Sequence, residues 1–106
     1  FFLLTRRPPR SPLFPATTLC RSVYVSVDLD VLDPALMPAV GTPEPGGMTW
    51  HQLVSLLSKV AESRRIVGFD VCELAPADGP PACSYTAAKL VYKLVALACG
   101  KRNGLP

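Results

Sequence analysis

None of the four cysteines, at positions 20, 72, 83 and 99, stands at C-x-x-C or any zinc-like spacing from another, which excludes a zinc-finger type of site. Their even count would permit disulfides. Free, mostly buried thiols in a reducing, cytoplasmic setting are expected instead, with Cys72 inside an apolar strand pattern. No apolar run is expected to span a membrane, because Lys89 and Lys93 interrupt the last one. A secretory signal is also missing, since the run Phe1 to Leu4 is short and the arginines follow it rather than precede it. Residues 1–21 hold Arg6, Arg7, Arg10 and Arg21 but no acid. The remainder has seven basic and eight acidic residues, so the net +3 lies in the opening segment and no nucleic-acid surface is indicated.

What is present fits one small domain of 106 residues, 49% of them apolar, which is too hydrophobic for a disordered chain. Residues 1–21, with four prolines and no periodicity, read as a flexible or non-native arm. Residues 22–100 read as an α/β unit, and 101–106 as a tail.

In the α/β unit, Val23, Val25, Val27 and Leu29 alternate with Tyr24, Ser26, Asp28 and Asp30, which predicts a strand with one apolar face and the acids on the other. The stretch DPALMPAVGTPEPGG, 33–47, is too rich in proline and glycine for regular structure. A helix is then signalled by Thr49 and Gln52 in capping-box spacing, with Met48 placed to staple onto Leu53. Leu53, Val54, Leu56, Leu57, Val60 and Ala61 form its apolar stripe; Gln52, Ser55, Lys59 and Glu62 lie opposite. IVGFDVCEL, 66–74, predicts a buried parallel strand, and a last helix follows from about Ser84 to Cys99, closed by Gly100. Strand, helix, strand, helix predicts a βαβ unit with a covering helix. Two strands alone cannot make a doubly wound sheet, so the unit reads as part of a larger α/β domain.

Both strands carry acids at their carboxyl ends, where open parallel sheets gather ligands: Asp28 and Asp30 on the first, Asp70 and Glu73 on the second. Two aspartates at i and i+2 repel each other unless a cation lies between them, and an all-oxygen pair suits a hard divalent ion. A solvated pair beside the turn at Asp33-Pro34 is the structural alternative. The sole histidine, His51, falls in the first turn of the Thr49 helix and reads as a helix-surface residue rather than a ligand. Trp50 and Phe69 read as packing residues.

SVDLDVLDPALMPAVGTPEPGG, residues 26–47, resembles the signature S-[FVI]-D-x-D-x-x-D-P…P-x-x-G-T-P-x-x-G-G of the ureohydrolase family, the arginase and agmatinase enzymes. GFDVCELAP is similar to that family's G-x-D-x-x-E-x-x-P, and TAAKLVYKLVAL to its final helix. The resemblance implies a βαβα fragment of a three-layer parallel-sheet, arginase-like fold. It also implies a site with two manganese ions that hydrolyses a guanidino compound to urea and an amine, in trimers or hexamers. By the same resemblance Asp28 would bridge both ions, Asp30 would bind one, Glu73 would pair with the guanidinium, Thr42 would lie near the substrate and Asp70 would support the site. The family's upstream G-G-D-H and D-A-H-x-D motifs, which carry the remaining metal ligands, do not occur in this chain. The expectation is therefore the C-terminal part of a ureohydrolase, inactive as an isolated chain. A non-catalytic remnant that associates with an intact homologue is the first alternative. A phosphatase of the haloacid-dehalogenase type, whose D-x-D motif VYVSVDLD resembles, is the second.

Overall fold

The computed structural model describes residues 2–4 and 21–100. Its strands and helices are β1 (Phe2–Leu4), β2 (Ser22–Asp28), α1 (Trp50–Ser63), β3 (Arg65–Cys72) and α2 (Pro81–Cys99). The three strands form one sheet in the order β1-β2-β3, with β2 parallel to β3 and antiparallel to β1. Part of the arm expected over 1–21 is thus a strand: the described residues 2–4 pair with Tyr24 to Ser26. The rest of that arm, with Cys20, and the tail 101–106 lie outside the described residues.

The alternation in β2 is realised as read. Val23, Val25 and Val27 are buried, while Ser22 and Tyr24 are exposed and Ser26 and Asp28 half-buried. On β3 the core side is taken by Ile66 and Phe69, an odd spacing that simple alternation cannot provide. A register shift between Val23 and Tyr24 resolves it: Val23 pairs with Ile66 and Tyr24 with Gly68, leaving Val67 exposed. Gly68 is required there, because the Tyr24 ring lies across it and a Cβ would stand 2.8 Å from Cε2.

Both helices pack on the valine face. Leu53, Leu57 and Ala61 from α1 meet Cys83, Ala87, Leu90 and Leu94 from α2 in one cluster with Val23, Val25, Val27, Leu29 and Ile66. Trp50 and Phe69 pack against this core, as read. The opposite face, with Tyr24, Ser26, Asp28, Asp70 and Cys72, carries no helix among the described residues, so two of the expected three layers are described.

The start of α1 matches the expectation in detail. Thr49 accepts the Gln52 N–H at 3.3 Å and Gln52 Oε1 accepts the Thr49 N–H at 2.8 Å, a reciprocal cap of the kind that contributes about 1 kcal/mol. Met48 packs against the core that holds Leu53. Three boundaries differ from the sequence reading. Strand β2 ends at Asp28, and Leu29–Val31 form a single 3₁₀ turn, so Asp30 is not a strand residue. Strand β3 ends at Cys72 rather than 74, because Glu73 takes a left-handed backbone conformation. Helix α2 starts at Pro81 rather than Ser84: the fixed φ of proline suits a first helical position, where no N–H is needed.

Two expectations about side chains are corrected. Of the described cysteines only Cys83 is buried; Cys72 and Cys99 are exposed, Cys72 because its side of the sheet is uncovered. Helix α2, expected to be too interrupted by Lys89 and Lys93, is in fact long and apolar enough to cross a membrane by length and composition alone. Its inner stripe, Cys83, Ala87, Leu90 and Leu94, nevertheless packs on the sheet.

Candidate functional site

Strands β2 and β3 run parallel and in register at their carboxyl ends, where Asp28 stands opposite Cys72. The ladder brings the acids after each strand to the same end of the sheet. Asp28 closes β2, Asp30 sits in the 3₁₀ turn, and Glu73 follows Cys72 at φ 69, the positive-φ non-glycine among the described residues. The loop over 33–47 returns between them. Thr42 Oγ1 donates to Asp30 Oδ2 at 3.1 Å, and Gly41 beside it comes so near Glu73 that a Cβ there would lie 3.9 Å from Oε2. Asp28, Asp30, Thr42 and Glu73 therefore frame one exposed or half-buried rim.

The loop is held by the third acid of the DLDVLD run. Asp33 Oδ1 accepts the Ala35 N–H at 2.9 Å, and Oδ2 accepts the Gly46 N–H at 3.1 Å, across the whole loop. Met48 and Val31 add a backbone bond at 2.8 Å, and Gly47 packs so tightly on Leu32 and Asp33 that any Cβ would clash at 2.6 Å. At the far side, the Ala75 N–H donates to Ala39 O at 2.9 Å, joining this loop to the one after β3. Asp33 is thus a loop anchor, a role compatible with its reading as turn chemistry.

Asp70 lies behind the rim, on the uncovered face of β3. Ser26 Oγ donates to its Oδ1 at 2.6 Å across the ladder, and the Cys72 thiol donates to the same oxygen at 3.3 Å. Hydrogen bonds from Ser26, then Tyr24, then Cys72 hold Asp70 below the ordinary carboxylate range. Its charge acts back on the donors. The hydrogen bond to Asp70 raises Tyr24, with desolvation and nearby negative charge adding to it. The same bond, followed by desolvation and the charges of Asp70, Asp28 and Glu73, raises Cys72. Cys72 is therefore a poor thiolate in spite of its exposure, because its surroundings are anionic.

Every candidate site residue named from the sequence lies at this end of β2 and β3. Sequence reasoning missed Ser26, Tyr24 and Cys72 as partners of Asp70, because only the cross-strand register reveals them. It also missed Gly41 as the residue facing Glu73, although G-T within the loop was a visible signal. His51 is an exposed residue of the first turn of α1, as read. Among the described residues no three His, Cys, Asp or Glu side chains converge on a point that could hold a metal ion. Two aspartates, one already accepting a hydroxyl, do not supply the ligands that a pair of divalent cations needs. The described residues alone do not fit a manganese pair.

A parallel βαβ unit with acids beyond its strand ends belongs to the broad class of α/β proteins that bind ligands at the carboxyl edge of a sheet. A narrower assignment comes from known proteins. A model of the arginase family matches residues 14–97, and this chain belongs to that family. It is 48% identical over 79 residues to the N(1)-aminopropylagmatine ureohydrolase of Thermus thermophilus, a match that covers 74% of this chain and 27% of the relative. It is 35% identical over 82 residues to the agmatinase of Pyrococcus horikoshii, covering 77% and 29%. Among solved structures it superposes on the proclavaminate amidino hydrolase of Streptomyces clavuligerus with a TM-score of 0.69 at 40% identity, over 74% of this chain and 26% of the other. The arginase of Medicago truncatula gives 0.64 at 32% identity, over 74% and 27%. The fold is arginase-like, and the chain spans little more than a quarter of the length of these relatives.

Proposed function

We propose that this chain provides the strand-end acids of a ureohydrolase site, which hydrolyses a guanidino compound to urea and an amine. The site would be completed by metal ligands from outside the described residues. The observation that carries the reading is the rim itself: Asp28 and Asp30 from β2 and Glu73 from β3, with Gly41 and Thr42 between them. Relatives named agmatinase and N(1)-aminopropylagmatine ureohydrolase favour an agmatine-like substrate. The arginase family is generally metal-dependent, and manganese is the ion proposed for the completed site.

The chain's own residues divide the work by charge. Glu73, turned out of the strand, holds the guanidinium by charge-assisted hydrogen bonds, the planar cation matching the two carboxylate oxygens. Asp28 and Asp30 concentrate negative charge at the neighbouring strand end, and the Thr42 hydroxyl orients Asp30. Asp70, pinned by Ser26, fixes the spacing of the two strand ends. In the net reaction water adds to the guanidinium carbon and one C–N bond breaks, releasing the amine and urea.

Calorimetric titration of the purified chain with Mn²⁺, run beside Asp28→Asn/Asp30→Asn, tests this reading. Weak binding of at most one ion, with Kd on the order of 10⁻⁴–10⁻³ M for so few oxygen ligands, is expected, and the double variant should lose it. No urea is expected from agmatine or arginine with this chain alone. Robust turnover would overturn the need for outside ligands. Binding unchanged in the double variant would remove the two aspartates from the metal site.

A further inference from the structure

The two edges of β2 are covered very differently. Toward β3 the ladder runs the whole strand, from Ser22 opposite Arg65 to Asp28 opposite Cys72. Toward β1 it is covered only at Tyr24, Val25 and Ser26, by Leu4, Leu3 and Phe2 in antiparallel pairing. The βαβ unit does not require β1, since α1 already makes the connection between its parallel strands. Without it, SVYVSVD would present an open row of N–H and C=O groups. That segment is rich in β-branched and aromatic residues, has no proline or glycine, and is charged only at Asp28. A strand of this composition with a free edge recruits another strand.

We propose that Phe2–Leu4 is an edge guard that closes β2 against a second copy of this chain, and that displacing it lets β2 pair with β2 of the copy. The identity of the occupant follows from the self-complementarity of the strand. With Val25 opposite Val25 in an antiparallel pair, Val23 meets Val27, Tyr24 meets Ser26 and Ser22 meets Asp28. The buried valines of both copies then share one face, continuing the apolar layer from one copy into the next. The two aspartates meet serines at opposite ends rather than each other. Such a pair is isologous and closes on a twofold axis. Its centre, positions 24–26, is the stretch that β1 covers, and its direction is the one in which β1 pairs.

The test compares the full chain with Leu3→Pro and with a chain lacking residues 1–4. Proline removes an N–H from the middle of the three-residue ladder, and the truncation removes the ladder altogether. Sedimentation velocity over a concentration series would be combined with amide hydrogen exchange of peptides spanning 22–28; peptides from α1 and α2 report that the core is intact. Both variants are expected to dimerise at a concentration at least tenfold lower than the full chain. Their β2 amides should exchange at least tenfold faster when dilute, and regain protection as the dimer forms. The proposal is overturned if both variants sediment as the full chain does. It is equally overturned if they dimerise while β2 exchange stays fast at every concentration, which would place the interface elsewhere.

Discussion

Glu73 carries backbone strain at the residue on which substrate recognition is proposed to rest. At φ 69 an L-residue suffers a clash that costs about 1–2 kcal/mol, and glycine does not. The strain ends β3 and turns the carboxylate toward Gly41 instead of letting Glu73 continue the strand. Glu73→Gly is therefore expected to be more stable than Glu73→Ala by about 1 kcal/mol in equilibrium urea denaturation, although both lose the carboxylate. Equal stabilities would show that the backbone is unstrained there. The role of Glu73 was legible in sequence through the G-x-D-x-x-E spacing, but its conformation was not. Glutamate has no preference for left-handed φ, so only the packing of the surrounding loops imposes it.

At the scale of elements, β2 and β3 are joined on their uncovered face by Ser26, Tyr24 and Asp70, and this link has a pH signature. Asp70 is held below its ordinary value of 3.8, so its ionised form favours the folded chain. That contribution is present above about pH 3.8 and is lost as the pH falls through the lower folded value. Tyr24 is displaced upward from 10.0, so its neutral phenol favours folding. Its contribution is present below about pH 10 and is lost as the pH rises through the higher folded value. Asp70→Asn removes both. Its stability, measured as the urea midpoint from roughly pH 3 to 11, is expected to change less at either end than that of the parent. A variant that keeps the parent's acid limb would exclude the network as its source. None of this could be foreseen from the alternation of β2, which gives faces but not register. The crossover through α1 can set β3 at any offset, and the shift at Val67 adds one more residue to the count. The helices were more legible, because capping and apolar spacing are local signals. The one misplaced start, at Pro81, came from weighing two prolines as loop when the second suits a first helical turn.

For the whole molecule, the decisive feature is a sheet covered on one side. All the buried side chains belong to a single cluster, with Leu53, Leu57, Leu90 and Leu94 wholly inaccessible, and no second core supports it among the described residues. Chains of this size bury a modest share of their surface and are marginally stable. Leu90→Ala, which removes about 2–5 kcal/mol from such a core, is expected to abolish the cooperative urea transition. A sharp transition at the parent's midpoint would mean that α2 contributes little. The family's fold was readable from the order of elements and the motif residues, whereas the one-sided cover was not, since a chain's own strands do not announce what packs on their far face. The meeting of the two site loops at Ala39 has a consequence of its own. Its carbonyl takes the Ala75 N–H, and Gly79 lies so close that a Cβ would stand 2.7 Å from the Ala39 methyl. The segments bearing Thr42 and Glu73 therefore cannot drift apart over evolutionary time. A residue inserted between 33 and 47 would have to be answered by a change after β3, so the two loops lengthen, shorten and diversify as one inherited piece.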